Sequence, residues 1–204
     1  MFSSGTRYLL AAVQAVVGYE WLVSGANKVF SGSFPQGLAD ALQEGLKDNP
    51  NLWYVDFVRG VILPRSVAFG YLIQYCELAA GVALLIGALV LCGRLPERGQ
   101  PYHRLAVAEI AAATAACFGC FLLCLNLHFW MGDGLISSIN TAKAFDEGID
   151  LDTLLPPLSL ILLVMNGRLL ITLTDMRGPL ARFHPRLASL FTRPASRMDE
   201  APAS

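Results

Sequence analysis

Glu20 and Glu77 have the strongest claim to chemistry, because each carboxyl lies inside a stretch otherwise apolar enough to cross a membrane, Tyr8 to Asn27 and Ser66 to Leu91. A carboxylate in hydrocarbon is costly, so each must face a protein interior and find a partner there. Helical rise counted from the ends of the two stretches puts both roughly 15 to 18 Å from the same membrane face, near the bilayer centre. They can therefore meet in one buried site, where a carboxyl pair suits proton transfer. Gln74 precedes Glu77 by three positions, shares its helix face and joins that central cluster. A second polar level is shallower: Asn27 and Lys28 end the first stretch, and Asn126, His128 and Trp130 end the third. An ammonium with amide and imidazole groups beside it suits a small anion at an open mouth.

Each group also has an ordinary explanation. Lys28 can simply anchor a helix end at the interface, and His128, beside Phe129 and Trp130, can be an interfacial residue. Glu109 and Arg168 lie near helix ends, where snorkelling accounts for them. Asn166 is deeper and calls for an interhelical hydrogen bond. Glu77 has no interfacial explanation, although a structural hydrogen bond to a neighbouring helix would also satisfy it.

The elements that must position these residues follow from composition. Hydrophobic residues make up 54% of the 204, charged residues 15%, and mean hydropathy is +0.50, outside the balance of soluble domains. Four apolar segments, about 8–27, 66–91, 105–130 and 154–173, are each long enough to span a hydrocarbon core of about 30 Å as a helix. The fold expected is an all-α integral membrane protein: a four-transmembrane-helix bundle over residues 1–175, in contact with the lipid bilayer. Arg7 before an apolar run, with Ser24 and Ala26 further on, also resembles a signal peptide. Glu20 and Trp21 interrupt that run, and the following SGANK stretch favours a retained span.

Arg7, then Arg94, Arg98 and Arg104, then Arg177 to Arg197 mark one side as cytoplasmic, and the acidic 133–152 stretch marks the other. Both termini are therefore expected in the cytoplasm, with the protein multi-pass in the cytoplasmic membrane. The long connection between the first two spans carries Phe34, Leu38, Leu42 and Leu46 at helical spacing, stopped by Asn49 and Pro50. Trp53, Tyr54, Phe57 and Val61 form a second stripe ending at Pro64. This connection reads as a long, partly helical outer loop capping the bundle. Residues 176–204 read as a basic cytoplasmic tail, disordered at its end.

Cys117, Cys120 and Cys124 fall on one face of the third span, and the first two form a CxxC. In a four-helix bundle this resembles the thiol oxidoreductases of the vitamin K epoxide reductase type. Those enzymes also present a second cysteine pair on the outer side, which this chain lacks, so small helix-contact residues like Ala116 and Gly119 are the reading favoured. The chain carries no glycine-rich phosphate loop, dinucleotide fingerprint or histidine pair spaced for haem or zinc. No intrinsic haem, flavin or metal is expected. The basic residues sit where topology needs them, which leaves nucleic acid unsupported as a partner.

Gly18, Trp21, Leu22, Ser24, Gly25 and Lys28 form a G-x-x-W-L-x-S-G-x-x-K run that resembles the opening signature of DoxX-like membrane proteins. Glu77, Leu78, Gly81, Leu84, Leu85 and Gly87 resemble their second motif. Trp53 to Pro64 is similar to the aromatic connection of the DoxD branch, the small membrane subunit of thiosulfate:quinone oxidoreductase. The resemblance covers about Arg7 to Leu173. It implies a membrane subunit of a quinone-linked redox system, in which thiosulfate oxidation to tetrathionate is coupled to quinone reduction and another subunit takes part.

On this reading Glu20 and Glu77 are the catalytic pair, while Asn27, Lys28, Gln74, Asn126 and His128 bind a quinone or a small sulfur compound. Two other classes stay open: a non-catalytic anchor or assembly partner of another redox protein, and a small carrier, for which no inverted repeat is visible. Homo-oligomerisation also stays open.

Overall fold

The computed structural model describes residues 3–93, 95–96, 99–131 and 151–174; the expected acidic connection and basic tail lie outside the described residues. Four long helices dominate: α1 (Ser4–Ser31), α4 (Ser66–Cys92), α5 (His103–Met131) and α6 (Leu151–Thr174). Between the first two come α2 (Phe34–Gly45) and α3 (Leu52–Phe57). Among the described residues there is no strand. The four long helices are each long and apolar enough to cross a membrane.

Every long helix extends past the span read from hydropathy, α4 by a single residue. Ser3 caps α1 by accepting from the Thr6 N–H, and Gly32 ends it at φ 67°, a left-handed turn that glycine adopts without strain. At the other end of the bundle, Arg7 donates to the carbonyl of Gly93 at 2.9 Å, satisfying the C-terminus of α4. Pro156 and Pro157 sit inside α6 rather than at its start, since the helix begins at Leu151.

The connection between α1 and α4 is more continuous than its turn residues suggest. α2 follows the Phe34, Leu38, Leu42 stripe, with Pro35 at its start. The second stripe does not stop at Pro64. α3 widens into a π turn at Val58–Ile62, tightens to a 3₁₀ turn at Leu63–Arg65 and passes directly into α4. Pro64 cannot donate to the preceding turn, and the widened turn absorbs the missing rung without ending the helical path.

α4 packs on both α1 and α5, α5 on α6, and α6 on α1, so the four helices close a ring with α1 and α5 on its diagonal. Small residues set the closest approach. A Cβ added to Gly25 would lie 2.8 Å from the Leu78 Cα, and one on Gly81 would lie 2.5 Å from the Leu22 Cα. Between apolar spans the hydrophobic effect gives little, so such close packing must hold α1 against α4.

Two apolar clusters result. The bundle cluster includes Val17, Trp21, Leu84, Leu91, Ile110 and Leu162. The second lies under α2 and α3 and includes Leu38, Leu42, Leu46, Tyr54 and Val58. Outward, Leu9, Val16, Leu89, Phe118 and Ile161 are exposed, as lipid-facing side chains would be.

Polar glue crosses the bundle as well. Asn166 donates to Gln14 Oε1 at 2.8 Å, and Gln14 donates to the Leu84 carbonyl at 2.9 Å, all of it buried. The interhelical bond expected of Asn166 is thus present, and its partner Gln14 is one that sequence reasoning missed.

Candidate functional site: a charged cavity between the helices

The seam between the two apolar clusters holds the site. Glu77 lies eleven residues into α4, about 16 Å along its axis, and only 5% of its side chain is exposed. Its Oε2 accepts from Lys28 Nζ at 2.6 Å and from the Ser24 hydroxyl at 3.0 Å. Lys28 also donates to Ser24 Oγ at 2.7 Å, so the three side chains close a triangle. Ser24 and Lys28 are one turn apart on α1, which places both on the face that meets α4. Gly25 lies between them and brings the α1 backbone against Glu77 and Leu78. Lys28 is further held by the ring of Phe34, 5.4 Å from its Nζ, which ties the start of α2 to the pair.

This triangle forms part of the wall of a cavity of about 370 Å³ bounded by α1, α2, α4, α5 and α6. Most of the lining is apolar, with Trp21, Trp130 and Phe34 as its aromatic members and Leu38 and Leu42 of α2 across one side. The indole N–H groups of both tryptophans are buried with no partner among the described residues. Glu20 and Asn126 supply the remaining polar lining. Such a space, apolar with a few convergent polar groups, is the usual form of a small-molecule site.

The sequence separated two polar levels, and the structure regroups them. Glu20, Glu77, Lys28 and Asn126 come together at one cavity. The partner of Glu77 is Lys28 rather than Glu20. Gln74 is buried on the α4 face, with its Oε1 unpartnered among the described residues, and does not line the cavity. His128 is buried with its ring against Phe129, and Asn27 is exposed; neither lines the cavity. The anion mouth of Asn27, Lys28 and His128 therefore does not form as a unit. A lysine stem is long enough to reach back along its helix, so Lys28 belongs to a deeper level than its Cα.

Asn126 was expected at the site and lines it, whereas Ser24 and Tyr54 were not singled out as site residues. Ser24 has a signal in hindsight, the i, i+4 spacing to Lys28. Tyr54 has none, since its contact with Asn126 spans 72 residues of chain. Cys124 lines the cavity, while Cys120 and Cys117 are buried one and two turns before it on the same helix. Gly119 does not share their packing role: it faces outward with open space around it.

Among the described residues no cluster of histidine, cysteine or carboxylates could hold a metal ion. Fold and site together define a class: an all-helical protein with four helices able to cross a membrane and a buried ion pair on a cavity between them. No family model, curated protein or solved structure matches the chain.

Proposed function

We propose that this protein is a multi-pass membrane subunit of a quinone-linked redox system, with the cavity as the quinone head-group site. The observation that carries the reading is the Lys28–Glu77–Ser24 triangle on the wall of an apolar, tryptophan-lined space. A quinone needs an apolar slot for its ring, a donor for its carbonyl and a route for protons. Lys28 is the donor, Glu77 delivers the proton, and Glu20 on the same wall passes protons to or from the pair. Reduction of the ring to the diol takes two electrons and two protons. The electrons come from a partner subunit that oxidises a sulfur donor, two thiosulfates joining to one tetrathionate.

The DoxX-like motif residues support this assignment, since Trp21, Ser24, Lys28 and Glu77 of those motifs all fall at the cavity. Lys28 is already paired and faces two carboxylates, Glu20 and Glu77. That balance weighs against a dianion such as thiosulfate in this cavity, and the sulfur chemistry is placed on the partner. In the membrane, the α2–α3 segment caps the outer face, and both termini lie on the cytoplasmic side.

Glu77→Gln keeps size and most hydrogen bonding while removing the ionisable proton. With the fold intact, quinone reduction by the purified complex should fall at least tenfold, about 1.4 kcal/mol of barrier. Quinone should co-extract with both forms. Normal turnover in the variant, together with a lipid extract free of quinone, would refute the reading.

A further inference from the structure

The cavity has a second polar wall opposite the ion pair. α1 and α5 lie on the diagonal of the helix ring, so Lys28 and Asn126 reach the space from opposite sides. Asn126 Oδ1 accepts from the Tyr54 hydroxyl at 2.9 Å, and the same hydroxyl lies 3.1 Å from the Asn126 backbone carbonyl. Tyr54 is itself fixed: it is 1% exposed, with Trp53 edge-on to its ring and Phe129 tilted beside it. An amide whose oxygen is engaged has its two N–H donors left to offer. Among the described residues no acceptor takes them.

We infer that Tyr54 sets the polarity of Asn126, so that the cavity presents a donor from each side and selects a flat ring with acceptor oxygens at opposite edges. This rests on the quinone reading and narrows it to a para-dione held at both carbonyls, with Tyr54 as the positioning residue. A ring with one carbonyl satisfies Lys28 and leaves the amide unanswered. The diol can still accept at each oxygen, but must turn both of its own hydrogens away from a donor. The oxidised ring is therefore the form bound more tightly. A volume of about 370 Å³ is ample for one or two fused rings.

Purified protein in detergent micelles, titrated calorimetrically with 1,4-naphthoquinone and with 1-tetralone, tests this, because the second compound lacks the second carbonyl. The dione should bind about tenfold more tightly, the worth of one buried hydrogen bond. In Tyr54→Phe and in Asn126→Leu that preference should fall to near one while tetralone affinity holds. Asn126→Leu leaves the Tyr54 hydroxyl its backbone acceptor, so it decides the matter if Tyr54→Phe does not fold. A purely structural Tyr54 would lower the melting temperature and leave the ratio unchanged; an unchanged ratio in Asn126→Leu overturns the inference while the quinone reading stands. If the wild-type protein binds neither compound, the quinone reading itself falls and takes the inference with it.

Discussion

Lys28 and Glu77 depend on each other, because removing either leaves the other charge without its ion-pair partner in a largely apolar setting. Lys28→Met should therefore destabilise the fold by up to about 3–5 kcal/mol, the range for a fully buried pair, since Glu77 is 5% exposed but Lys28 is 25% exposed. Lys28→Met/Glu77→Leu should recover most of that loss, since two apolar side chains of similar volume replace the pair. Reversible unfolding in mixed micelles measures it; a double variant no more stable than Lys28→Met would mean that the pair is not energetically coupled. Glu77 was legible as a buried, partnered residue because a mid-span carboxylate has no other explanation. Its partner was not legible. Depth counted along each helix separately assigns Lys28 to the interface, and only the glycine-set approach of α1 to α4, together with the reach of the lysine stem, brings its ammonium down to the carboxylate.

At the scale of the elements, α1 and α4 are joined through glycines, and the two helices respond to bulk accordingly. Gly25→Val drives its side chain into the backbone at Glu77 and Leu78 and should cost about 1–3 kcal/mol or more, opening the seam that forms the ion pair. Gly119→Ala on the outward face of α5 meets open space and should be neutral or gain about 0.5–1 kcal/mol from helix propensity. Equal effects in a thermal melt would sink the packing argument. The helices themselves were legible, because apolar runs and the Phe34, Leu38, Leu42 spacing carry period and length. The passage from α3 into α4 was not: proline reads as a stop, whereas here the π turn before Pro64 keeps the path helical. Nor does a glycine in an apolar run say which way it faces, and Gly119 points away from the contact proposed for it.

For the whole molecule, the ends of the bundle differ in charge. Arg7, His103 and Arg104 gather where α1 and α5 begin, whereas at the α2–α3 end Lys47, Arg59 and Arg65 are offset by Asp40, Glu44, Asp48 and Asp56, so that end carries no basic excess. Exposed aromatics mark both levels, Tyr8 and Tyr102 at the first and Trp53 and Phe57 at the second, as interfacial belts do. Basic residues stay on the side of synthesis, so the α2–α3 end and the nearby cavity should lie towards the outside. A matched pair of exposed glutamines reads this directly: Gln43 on the polar face of α2, and Gln100 just before α5. With Cys76 and Cys92, the exposed native thiols, changed to Ala, an impermeant maleimide should label Gln43→Cys in intact cells and Gln100→Cys only after permeabilisation. The reverse pattern would invert the molecule, place the Glu20 and Glu77 carboxyls in the inner half of the bilayer, and require the protons for the bound ring to come from the cytoplasm rather than from outside.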